Sequence, residues 1–236
     1  MKVLILTQRD PFFVDAFLKE FDKSGIDFQV LNLPNFNKGL LWGLKRAKDL
    51  YGYFGLLKLI PIAMKNKIFF SLKNCISISN IDDVNVVKKY VSKLKHDDYF
   101  LSLSAPSRIP TEEYDFNGKM LNIHCGKLPD YAGMMPIFWQ LLDQKDEITL
   151  TFHNLSSNID GGSILYEKGI KFNKTLFQTS VNAKKESAKI FSKIALGELK
   201  LKDSNSETIH NTHKPNLNKF PKKSDIVELR KIIKLI

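Results

Sequence analysis

Along the opening of the chain the apolar positions change period twice. Lys2 to Leu6 is a short β-rich run, Phe13, Phe17 and Phe21 then recur every four residues, and Phe28 to Leu31 returns to a strand pattern. Asp10-Pro11 offers an N-cap followed by proline at the first helical position. Strand, helix and strand in that order predict a βαβ unit, and so a parallel sheet with helices packed against it.

Between about residues 35 and 72 the pattern loosens into aromatic and basic residues. That is long for a connection between elements and marks an insertion. Regularity then returns. Asp82-Asp83 caps a helix with Val87, Val91 and Leu94 on one face, and Tyr99 to Leu103 follows as a strand ending in Ser104-Ala105-Pro106-Ser107. Lys119 to Ile123 and Thr149 to His153 are further strands. Thr175 and Gln178 form a capping box before a helix bearing Phe177, Val181, Ala188, Phe191 and Ala195. Past residue 200 the chain turns polar and ends in a short helix around Val227 to Leu235. The resulting division is a main domain over 1–200, carrying the 35–72 insertion, and a tail over 201–236 that wraps the domain.

Composition narrows the class. The 236 residues, 43% of them hydrophobic, suffice for one sizeable core. The net charge of +11 favours anionic partners without choosing among them, and lysines interspersed with Asn and Ile also decorate solvated faces. Cys75 and Cys125 lie far apart and no His pair has metal-ligand spacing. Neither a disulfide framework nor a metal site is expected, and a reducing, cytoplasmic compartment fits. The first apolar run is too short for a signal segment. Tyr51 to Phe70 is interrupted by Lys58, Pro61, Lys65 and Lys67, which argues against an integral membrane span. No glycine-rich phosphate loop follows any strand.

Chemistry concentrates in Leu121-Asn122-Ile123-His124-Cys125-Gly126-Lys127-Leu128-Pro129-Asp130-Tyr131-Ala132-Gly133. Residues two apart on a strand share a face, so Asn122 and His124 project together while Ile123 points away. Cys125 faces away from His124 and cannot pair with it as a nucleophile. Gly126, Pro129 and Gly133 mark a turn at the strand's end, where open α/β sheets build ligand crevices. Asp160, in the loop Asn158-Ile159-Asp160-Gly161-Gly162-Ser163, has a carboxylate able to return to the His. An Asn amide and an imidazolium are two donors for one developing oxyanion, the requirement of acyl transfer to an amine, and the carboxylate can take the amine's proton. His153 alternates with Thr151 and reads as a sheet residue. His96, His210 and His213 sit in polar context.

The run Asn-Ile-His, then Leu-Pro-x-Tyr-x-Gly, then an Asp-x-Gly-x-Ile loop resembles the formyltransferases that use N10-formyltetrahydrofolate, across about residues 98 to 165. This family includes glycinamide ribonucleotide, methionyl-tRNA and sugar-nucleotide enzymes. The resemblance implies a Rossmann-like α/β catalytic domain, with a tetrahedral intermediate polarised by Asn122 and His124 and proton transfer assisted by Asp160. It also implies a pterin site near Leu103, Ser104 and Ile109 and the loop of Asn158, with substrate contacts from Lys127 and Tyr131. Gly126-Lys127-Leu128-Pro129 and Asp160-Gly161-Gly162-Ser163 depart from the family's usual Ser-Leu-Leu-Pro and Asp-Thr-Gly-Asp. Lys127 reads equally well as a phosphate contact or a solvated side chain.

A methionyl-tRNA enzyme of this family is expected to carry a C-terminal barrel for which the residues after Leu196 leave no room, and basic charge alone is weak evidence for nucleic acid. A glycinamide ribonucleotide enzyme is expected to have glycines near the first βα turn, where Gln8-Arg9-Asp10-Pro11 stands. The expected acceptor is therefore the amine of a nucleotide-linked amino sugar, as in polysaccharide biosynthesis. A formyltransferase acting on methionyl-tRNA or glycinamide ribonucleotide, a non-catalytic folate- or sugar-nucleotide-binding protein and a hydrolase passing formyl to water are the alternatives, and a homodimer is left open.

Overall fold

Seven strands form one sheet in the order β3-β2-β1-β4-β5-β6-β7. The structure, a computed structural model, describes residues 1–8, 12–33, 39–72, 75–78, 84–104, 109, 111–114, 116, 118–202 and 217–235. The strands are β1 (Lys2–Gln8), β2 (Asp27–Leu33), β3 (Cys75–Ser77), β4 (Tyr99–Leu103), β5 (Lys119–His124), β6 (Ile148–Asn154) and β7 (Ile164–Ile170). From β3 to β5 every pairing is parallel, whereas β5–β6 and β6–β7 are antiparallel. The chain reverses its direction of strand addition between β1 and β4, so a crevice is expected at the carboxyl ends of those strands.

The alternation of each strand decides which layer it feeds. Val3 and Ile5 face a large cluster with Phe17 and Phe21 of α1 (Phe13–Asp22) and Phe191 of α5 (Leu176–Ala195). Leu4 and Leu6 face a smaller cluster with Val87 and Val91 of α3 (Val84–Val91). Phe21 sits 5.8 Å from Phe17, 5.5 Å from Phe28 and 5.3 Å from Phe191, ring centre to ring centre. The four-residue Phe spacing is thus the seam that fixes α1 onto the sheet and α5 together.

Three elements depart from the sequence pattern. The stretch over 35–72 contains α2 (Gly39–Leu72), bent at Gly52, whose φ is 74°. Pro61 lies within it and does not end it. Buried Leu50 and Leu59 face the protein, while Tyr53, Phe54, Leu57, Ile60 and Met64 stand outward, each more than half exposed. Apolar residues on both faces erase the 3.6-residue signal that would have marked the helix. α4 (Pro136–Leu142) and the three-residue β3 were also not marked. The caps placed on Asp10-Pro11 and Asp82-Asp83, the stretch Ala105-Pro106-Ser107, and tail residues 203–216 lie outside the described residues.

The C-terminal segment returns to the domain. Asn218 pairs with Gly133 in an isolated bridge, and α6 (Lys223–Ile232) buries Ile226 and Leu229. Among the described residues, no helix is long and apolar enough to cross a membrane.

Candidate active site

The carboxyl end of β5 positions the site. Leu121 and Ile123 point into the α1/α5 layer, which leaves Asn122 and His124 on the opposite face. The antiparallel neighbour β6 sets His153 directly opposite Asn122. Asp160 arrives from the β6–β7 loop with φ of 51°, a left-handed backbone that short polar residues tolerate. Gly162 lets that loop lie close to β6, because a Cβ there would fall on the Asn154 carbonyl.

The Asp160 carboxylate is the hub of the cluster. Oδ1 lies 3.4 Å from His124 Nδ1, accepts from Asn122 Nδ2 at 3.4 Å and lies 3.8 Å from His153 Nε2. Oδ2 accepts from the backbone N–H of Gly133 at 2.8 Å. The His124 Nε2 donates to the Tyr131 carbonyl oxygen at 2.7 Å. Both His124 nitrogens therefore face acceptors, an arrangement made in full only when both carry protons.

His153 fixes the orientation of Asn122. Its Nδ1 donates to the Asn154 carbonyl at 2.9 Å, which assigns the ring proton to that nitrogen. Burial lowers its pKa to about 4, with the Asp160 carboxylate opposing and His124 adding to the depression. The ring is therefore neutral near pH 7, and Nε2 accepts from Asn122 Nδ2 at 2.9 Å. A flipped amide would set Oδ1 against the Nε2 lone pair and the Asp160 carboxylate. Hence both Asn122 N–H bonds are engaged, by His153 and Asp160.

The structure thus brings together Asn122, His124 and Asp160 and adds His153, the Gly133 N–H and the Tyr131 carbonyl. The sequence reading kept His153 as a sheet residue; its place opposite Asn122 depends on a strand register that no local pattern encodes. Tyr131, expected at the substrate, is buried and donates its hydroxyl to Asp143 at 2.7 Å. Burial and that carboxylate hold its phenol well above the usual range, so it stays a donor to Asp143. Lys127 is exposed. Of the residues implied for the pterin, Leu103 and Ile109 are packed in the core, while Ser104 and Asn158 are exposed at the sheet's edge. Buried Cys125 offers its carbonyl to Gln140 at 3.0 Å.

The Asn, His and Asp cluster lies at the carboxyl edge of an α/β sheet, where folds of this kind bind ligands, and it offers two donors and a carboxylate there. Residues 111–192, which hold the cluster, match the family described as Formyl transferase. The bifunctional polymyxin resistance protein ArnA of Wigglesworthia glossinidia brevipalpis is 32% identical over 143 residues, covering 51% of this chain and 22% of that protein. The chain thus spans 22% of the length of that curated relative. Among solved structures, a sugar N-formyltransferase from a Shewanella sp superposes with a TM-score of 0.56 at 17% identity, over 92% of this chain and 76% of that one. WlaRD, a sugar 3N-formyl transferase solved in the presence of dTDP and 5-N-formyl-THF, gives 0.51 at 20% identity, over 100% and 82%. At these identities the likeness is one of fold.

Proposed function

We propose that this protein transfers a formyl group from N10-formyltetrahydrofolate to the amine of a nucleotide-linked amino sugar. The observation that carries the reading is the convergence of His124 and Asn122 on the Asp160 carboxylate, within the segment matching the formyl transferase family. The sugar acceptor is favoured by the sugar N-formyltransferases of the same fold, one of them solved with dTDP. A cytoplasmic setting accords with both substrates.

The carrier supplies a formyl group bonded to a nitrogen that can leave. In the structure the His124 and Asn122 donors are held by internal acceptors, the Tyr131 carbonyl and His153 Nε2. A formyl oxygen entering between them exchanges for those acceptors, and its hold tightens as the amine adds and charge develops on the oxygen. Asp160 keeps His124 oriented through Nδ1. Its Oδ1, which no backbone group occupies, takes the proton shed by the amine and returns it to the departing nitrogen. The Gly133 N–H on Oδ2 keeps the carboxylate aimed during both transfers.

The test is incubation of purified protein with N10-formyltetrahydrofolate and a panel of nucleotide-linked amino sugars, following released tetrahydrofolate by absorbance and product by mass. A formylated sugar is expected, with the rate reduced roughly 100- to 1000-fold by His124→Ala. Turnover of folate without any formylated sugar would replace the reading by a hydrolase. Folate binding without turnover would replace it by a binding protein.

A further inference from the structure

Lys184 is the only lysine or arginine that is buried among the described residues, at 8% exposure. Its ammonium donates to the Ser104 hydroxyl at 2.9 Å, and no carboxylate among the described residues pairs with it. The side chain is buried while its charged end reaches the exposed Ser104, so an anion arriving there meets an ammonium with no carboxylate beside it. A neutral hydroxyl does not match it, and two of its three N–H donors remain to be satisfied.

Its place in the fold says where the missing anion comes from. α5 runs antiparallel to β4: Ile194 accepts from the Tyr99 hydroxyl at the strand's start, and Lys184 meets Ser104 just past its end. Ser104 follows Leu103, which pairs with Ile123, so it stands at the level of His124 on the next strand. Its φ of 52° takes it out of the strand's alternation, and its hydroxyl meets α5. The Lys184–Ser104 pair therefore sits at the carboxyl end of β4, beside the point where the direction of strand addition reverses, with Ser104 on the strand next to His124. Because Ser104 Oγ accepts from the lysine, its own proton is free to donate to the same anion.

We propose that Lys184 and Ser104 seat a phosphate of the acceptor, which anchors the nucleotide-linked substrate with its amine toward His124. This rests on the acceptor class proposed above. A tetrahedral phosphate oxygen suits a compact, rotatable ammonium better than the planar fork of an arginine requires. The folate's own carboxylates are the competing source of anion, and the two are separable because only one of them belongs to the acceptor.

Isothermal titration of inorganic pyrophosphate, dTDP and tetrahydrofolate into wild-type protein, Lys184→Met, Lys184→Arg, Ser104→Ala and Lys222→Ser/Lys223→Ser provides the test. Pyrophosphate and dTDP are expected to bind Lys184→Met at least 10-fold more weakly, with partial recovery in Lys184→Arg, while tetrahydrofolate and the Lys222/Lys223 variant stay as in wild type. Undiminished diphosphate binding in Lys184→Met overturns the proposal, as does a loss confined to tetrahydrofolate or one that tracks Lys222/Lys223. Should Lys184→Met not fold, Ser104→Ala decides: pyrophosphate affinity drops several-fold or the proposal fails. Neither diphosphate probe carries an amine, so the anion seat stands or falls independently of whether any amino sugar is formylated.

Discussion

His153 carries a cost that acid conditions expose. Its folded pKa of about 4 lies below the unfolded value of about 6.5, so the unfolded chain binds the proton first. The stability held by the neutral ring is complete above pH 6.5 and is lost as the pH falls from there toward 4, by up to about 3 kcal/mol. Urea unfolding midpoints measured across that window are expected to fall for wild type and to fall less for His153→Gln. A parallel decline in the two proteins would assign the acid sensitivity elsewhere. The residue itself was visible in the sequence but its role was not. Asn122 and His124 were legible because a period of two places them on one face, and Asp160 because a glycine-rich loop after a strand is where a returning acid sits. The Asn122–His153 contact joins residues 31 apart through an antiparallel register, which local spacing does not specify.

Local chemistry at the element scale is decisive in two places. Thr175 caps α5, its hydroxyl accepting from the Gln178 N–H at 3.0 Å, as the Thr-x-x-Gln spacing predicted. Thr175→Ala is expected to destabilise the protein by about 1 kcal/mol in denaturant titration without changing which substrates it takes. Gly162 is less forgiving. A methyl there meets the Asn154 carbonyl backbone, so Gly162→Ala must shift the loop that carries Asp160. The expected result is a fall in turnover out of proportion to the loss in melting temperature, measured side by side; equal losses would mark a purely structural glycine. The strands and α1 were legible because each buries one face or both in a simple alternation. α2 was not, because a helix with apolar residues inward and outward has no period to find, and β3 is too short to show one.

At the scale of the whole molecule, residues 217–235 close the structure around the turn that holds Asp160. Asn218 accepts from the Met134 N–H at 2.8 Å and donates to the Ala132 carbonyl at 2.9 Å, on either side of the Gly133 that holds Asp160. Trp139 Nε1 reaches the Lys219 carbonyl at 3.3 Å, Leu176 and Phe177 N–H groups are accepted by Lys234 and Leu235, and Ile226, Leu229 and Leu235 are buried. These contacts are made by the segment itself and do not depend on the covalent link that leads to it. A chain cut between residues 202 and 217 is therefore expected to behave as two complementing pieces: residues 1–202 inactive alone, and activity restored on adding a peptide of residues 217–235. The concentration of peptide giving half the activity would then measure, as a dissociation constant, how firmly the last turn of the chain holds the loop in place.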